Sequence, residues 1–206
     1  MEPGVIVATV SLLVSVAVFV RGEVRAHRTD GRAERAEQRA ERAEVSAESL
    51  RVAQLWGELV AQIQPFIAVL LPDPNLGDRF LSLRRAAVEL VDNVDPADWP
   101  ALSEWLGAEH QLGALLGQAV LESGGPTGVA APDAVMSAHE PLHDWAYAYM
   151  NNVRRLRRIG PGDEAHGALP RLVDRARESA ARTCQAHGWP VPGPPDRIKP
   201  LDNETP

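Results

Sequence analysis

From Gly4 to Val20 the chain reads GVIVATVSLLVSVAVFV, an uncharged run whose only polar side chains are Thr9, Ser11 and Ser15. Those hydroxyls can bond to carbonyls one turn back, so a helix through this run leaves no polar group unsatisfied in lipid. Its length spans roughly 25 Å, slightly under the ~30 Å hydrocarbon core, and Arg21 can reach toward headgroups to extend it. The run therefore predicts a transmembrane helix over 4–21. A cleaved signal peptide is the rival. That reading needs a basic segment before the apolar run and a small-residue cleavage site after it, whereas Glu2 precedes the run and Arg21 closes it. Arg21, Arg25, Arg28, Arg32 and Arg35 all follow the span. The positive-inside rule then sets the N-terminus outside and the C-terminal domain in the cytoplasm of a single-pass cell-membrane protein. Gly4, Ala8, Ser11 and Ser15 form a small-residue stripe at four, three and four spacing, which would let two such helices approach closely.

Residues 22–31 read as a basic juxtamembrane connector. Over 32–51 the sequence becomes an Ala/Arg/Glu heptad stalk, with Ala33, Ala36, Ala40, Ala43, Ala47 and Leu50 at positions a and d. Arg32 and Arg39 then occupy g, and Glu37 and Glu44 occupy e. A parallel homodimer pairs Arg32 with Glu37 and Arg39 with Glu44 across the seam, while an antiparallel pair opposes like charges. Alanine buries little apolar area, so the competing expectation is a solvated helical spacer.

Residues 52–187 predict an all-α fold, an antiparallel helical bundle. The apolar positions Val52, Leu55, Leu59, Ile63, Phe66, Ile67 and Leu70 mark a first helix, bent at Pro65 and ending at Pro72-Asp73-Pro74. A second follows Asn75 as N-cap. A third is expected from about 100 to 123, a fourth from about 133 to 158, and a fifth from about 168 to 186. The Pro-rich segment 188–206 lacks an apolar period and is expected to be a disordered tail.

His139-Glu140-Pro141-Leu142-His143 has the spacing of a zinc-hydrolase helix, in which two imidazoles one turn apart hold the metal and the glutamate activates water. Pro141 argues against it. A proline lacks the amide that would bond back one turn, so the helix is expected to kink or begin there, and if it begins there His139 lies outside and the two imidazoles do not share a face. The nearest candidate for a third ligand, Glu164, falls in a Gly-rich segment expected to be a turn. No metal site and no other cofactor is therefore expected, and a membrane-bound zinc hydrolase stands as the alternative to a non-enzymatic protein.

Arg154, Arg155, Arg157 and Arg158 form the densest basic patch, placed where a helix C-terminus favours positive charge. Anionic lipid or an acidic protein is the partner such a patch could take. Acidic residues outnumber basic ones 28 to 21 and aromatics make up 5% of the chain, which argues against nucleic acid as a partner. The sole cysteine, Cys184, excludes an intrachain disulfide and reads as a buried small apolar residue. The five tryptophans read as core or rim packing. These features together point to an adaptor or scaffold: a membrane-anchored module presenting a helical domain to an unidentified cytoplasmic protein.

Overall fold

Residues 38–68, 73, 75–123, 132–193 and 198 are described by a computed structural model. The anchor at 4–21, its stripe of Gly4, Ala8, Ser11 and Ser15, the connector at 22–31, and Arg32, Ala33, Ala36 and Glu37 of the stalk lie outside these residues. No helix among the described residues is long and apolar enough to cross a membrane. The chain divides into two units, 1–50 and 51–206.

In the first unit residues 38–50 are helical and exposed throughout, including Arg39, Ala40, Ala43 and Glu44. Val45 and Leu50 are exposed as well. Ser46 and Ser49 donate their hydroxyls to the carbonyls of Arg42 and Val45 one turn back, at 2.8 and 2.9 Å. Polar side chains on this helix thus find partners within it.

The second unit is all helical among its described residues: α1 (51–68), α2 (Leu76–Asp92), α3 (Leu102–Ser123), α4 (Pro132–Ile159) and α5 (Asp163–His187). Leu55, Leu59, Ile63 and Phe66 recur at three-to-four spacing on α1 and are buried. Leu76, Leu83, Ala87 and Leu90 do the same on α2, and Ala165, Leu169, Val173, Ala176, Ala180 and Cys184 on α5. α3 differs. It buries Trp105, Leu106, Gly107, Ala108 and Glu109 in succession, so every side of that turn is covered, and it packs against α2, α4 and α5. Contacts along α3 fix the chain directions. Trp105 meets Tyr149 of α4 while Gly113 lies under Trp145, so α3 and α4 run oppositely. His110 meets Phe80 of α2 while Gly117 faces Leu76, so α2 also opposes α3.

Local chemistry explains the helix boundaries and departs from the sequence expectation in four places. Asn75 is the N-cap of α2, but its side chain makes no capping bond. Asp73 accepts the amide of Asn75 itself at 2.9 Å on its carboxylate and pairs with Arg79, fixing the turn that leads into the helix. Helix continues on both sides of Pro65. α4 begins at Pro132, close to the expected 133, so Pro141 is a helix-interior residue and the helix does not begin there. Its missing hydrogen bond is one among many in a 28-residue helix anchored by buried Leu142, Trp145, Ala146 and Tyr149. α5 starts at Asp163, five residues earlier than its apolar pattern suggests, because Asp163 and Glu164 suit the positive N-terminal end of a helix. In the C-terminal segment, Ile198 is buried and its amide donates to the Ser103 carbonyl at 3.2 Å, which is not the behaviour expected of a disordered tail.

Between α2 and α3 the chain turns on Asp95. Its carboxylate accepts the Ala97 amide at 2.8 Å, and its carbonyl accepts those of Asp98 and Trp99 at 3.1 Å. Trp99 then packs at a tilt against Trp56 of α1, with ring centroids 5.1 Å apart.

Two glycines of α3 are required by packing. A Cβ on Gly113 would sit 2.5 Å from the Trp145 ring, and one on Gly117 would sit 2.7 Å from Phe80. Gly113→Ala should therefore destabilise the protein by about 1–3 kcal/mol through overpacking. Gly57→Ala meets nothing nearer than the end of the Arg157 side chain at 3.8 Å and should stabilise by about 0.5–1 kcal/mol through helix propensity. Urea midpoints at unchanged m-value measure both, and equal effects for the two would contradict this packing.

Candidate functional site

At the centre of the bundle lies a carboxylate. Glu109 falls on the apolar stripe of α3, four residues after Trp105 and three after Leu106, so helical periodicity aims it into the core. It is 6% exposed. The Trp105 indole, one turn earlier on the same helix, donates to Glu109 Oε1 at 3.0 Å. The Trp145 indole of α4 donates to Oε2 at 2.9 Å. Tyr149, one turn beyond Trp145, packs edge-on against Trp105 at 5.5 Å and tilted against Trp145 at 5.6 Å. Phe66 of α1 meets Trp145 edge-on at 5.7 Å. Two indoles thus hold one ionisable group, and Tyr149 and Phe66 pack against those indoles.

Both donors are neutral. Burial raises the Glu109 carboxyl from its ordinary 4.5 to about 7, against the opposing pull of the Trp105 and Trp145 hydrogen bonds and of the Arg175 charge. Burial, with the nearby Glu109 charge second, also pushes the Tyr149 phenol well above its usual range. The adjacent His110 is shifted the other way, from 6.5 down to about 4, by burial and then by the charge of Arg84. Rings cover the carboxyl and the indoles orient both oxygens, so the chemistry open to Glu109 is uptake and release of a proton by the folded bundle.

Of the residues singled out in the sequence, His139 and His143 do come together. The continuous α4 puts their rings one turn apart on one face, with centroids 6.4 Å apart, in correction of the expectation that Pro141 separates them. His139 is shifted below its ordinary value by burial and by His143. Glu164 does not join them. It sits in the first turn of α5, rather than in a turn segment, and binds Arg155 at 3.1 Å. Among the described residues no three His, Cys, Asp or Glu side chains are grouped as a metal site. Arg154, Arg155, Arg157 and Arg158 are all exposed at the end of α4. Cys184 is buried, as are Trp56, Trp99, Trp105 and Trp145.

The sequence reading passed over Glu109, although a signal was present. Leu102, Leu106, Glu109, Gly113, Leu116 and Val120 recur at helical spacing, so the glutamate interrupts an otherwise apolar or small-residue face. Comparisons of this chain with protein-family models, with curated proteins and with solved structures gave no match.

The neighbouring shifts have opposite consequences for stability. Glu109 has its pKa raised on folding, so its contribution is complete below pH 4.5 and is lost as pH rises toward 7. His110 has its pKa lowered, so its contribution is complete above pH 6.5 and is lost as pH falls toward 4. Each amounts to roughly 3 kcal/mol, and between pH 4.5 and 6.5 the two slopes cancel. Near pH 5 Glu109→Gln should lower stability by about 1–3 kcal/mol, since an amide must turn its NH2 toward one indole N–H, where the protonated carboxyl's hydroxyl oxygen can still accept. Measured against the parent by urea unfolding, the variant should also gain a positive stability slope approaching ~1.4 kcal/mol per pH unit across this window. Parallel pH profiles for parent and variant would refute the assignment.

Proposed function

We propose that this chain is a single-pass membrane protein whose cytoplasmic helical bundle is a non-enzymatic interaction module, an adaptor or scaffold, with copies paired in parallel through the stalk. The observation that carries this reading is the uncharged run Gly4–Val20 followed by Arg21, Arg25, Arg28, Arg32 and Arg35, because an apolar span with one-sided arginines has a preferred orientation in a bilayer. The stalk supports it. Residues 38–50 form a helix exposed throughout, with Ala40, Ala43, Ala47 and Leu50 left on one face and Arg39 and Glu44 flanking them. Two tethered copies would share a membrane and so meet at raised effective concentration, which favours even a weak alanine seam. The bundle contributes a rigid platform, and the exposed arginines at the end of α4 offer an acidic partner or anionic lipid a surface of fixed charge.

Two measurements on membranes bearing the full chain test the proposal. Protease added outside sealed inverted vesicles should digest the bundle, and protease added to intact cells should spare it. With native Cys184 buried, Ala40→Cys should form a disulfide-linked dimer under mild oxidation. A bundle protected in inverted vesicles would overturn the orientation, and a variant that stays monomeric would overturn the parallel stalk.

A further inference from the structure

We propose that His139 and His143 form a two-imidazole binding site on α4 for a divalent transition-metal ion of the Cu2+, Ni2+ or Zn2+ class. The inference is independent of the membrane reading. It begins with Pro141, whose place inside a continuous helix sets the two histidines at i and i+4 on one face.

Which nitrogens face a metal follows from their surroundings. His139 Nε2 is enclosed and has no hydrogen-bond partner among the described residues, an orphaned polar atom of the kind that an ion or a water ordinarily satisfies. Nδ1 of His143 lies 3.4 Å from Asp144 Oδ1. A carboxylate at that nitrogen favours the proton on Nδ1 and leaves the Nε2 lone pair free, as carboxylates behind metal-binding histidines do. Each ring thus offers Nε2. Shared by one ion, two such nitrogens stand roughly 2.8 Å apart in the square-planar geometry that Cu2+ prefers and roughly 3.4 Å apart in the tetrahedral geometry of Zn2+. The rings are now 6.4 Å apart between centroids, and the His143 side chain, 42% exposed, has room to turn inward.

Chemistry selects the ion. Neutral imidazoles suit Cu2+, Ni2+ and Zn2+ over Mg2+ or Ca2+, and the ordinary affinity order puts Cu2+ first. Exposed Glu140 and Asp144 beside the pair add negative charge that attracts a dication. With no third protein ligand grouped there among the described residues, water or a donor from another molecule fills the remaining positions. The site lies where the enclosed His139 Nε2 meets the exposed His143 ring, with its open coordination positions on the solvent side.

Calorimetric titration of the full-length protein in detergent with CuSO4, alongside electron paramagnetic resonance of the bound copper, tests the proposal. The parent should bind one ion per chain with a two-nitrogen hyperfine pattern. His139→Ala and His143→Ala should each weaken binding at least about tenfold and reduce the pattern to one nitrogen. Pro141→Ala, which keeps the spacing, should leave both unchanged. Circular dichroism confirms that each variant is folded, and His143→Ala is the decisive one because the residue is exposed. Copper binding that neither histidine substitution alters, or none in the parent, would overturn the site.

Discussion

Glu109 makes the interior of this bundle a problem that only one arrangement of rings solves. A carboxylate in an apolar core loses its hydration, and here it recovers two hydrogen bonds from neutral indoles rather than a paired cation. Trp105 can make its bond from the same helix. Trp145 can do so only when α4 lies against α3 at the right height and rotation, so the carboxylate fixes the register of one helix on the other. Apolar packing alone tolerates sliding by a fraction of a turn; two directional bonds to one carboxyl group do not.

The rest of the packing follows from that register. With Trp145 turned toward Glu109, the far side of its ring lies where a side chain on Gly113 would have been. Phe80 of α2 fills the next notch at Gly117 and touches both Phe66 and Trp145, so α1 and α2 are held through the same aromatic group. α5 closes the opposite side of α3 largely with alanines, and Arg177 pairs with Glu104. His110, on the neighbouring position of the same turn, gives the centre a second titrating group of opposite sense. A core with one such group would carry a strong pH dependence, whereas the adjacent pair cancels it over about two pH units.

Much of this was legible in the sequence, and the failures have physical causes. The helical class and approximate limits of α2, α3 and α4 were readable because Leu and Val recur at helical spacing between strong breakers. Pro141 misled because propensity is local: a proline ends an isolated helix, but buried Leu142, Trp145 and Tyr149 hold this one together across it. The first turn of α5 was missed because GPGDEAHG reads as loop, although Asp163 and Glu164 are suitable residues for a helix N-terminus. Ile198 could not have been foreseen, since a single apolar residue among prolines has no period. Glu109 carries no motif signal, since a lone carboxylate on a stripe of leucines matches no known pattern of catalytic or binding residues. The histidine pair was visible as spacing, but whether its rings share a face depended on the fate of Pro141.

The register of the bundle depends on Glu109 being a buried carboxyl held by neutral donors. Carbon-13 NMR of its side-chain carboxyl, assigned with the Glu109→Gln variant and followed from pH 3 to 9, tests that directly. The predicted titration midpoint is about 7. A midpoint near the ordinary 4.5 would mean that the carboxylate is hydrated or ion-paired, and that the indole-capped centre described here does not exist.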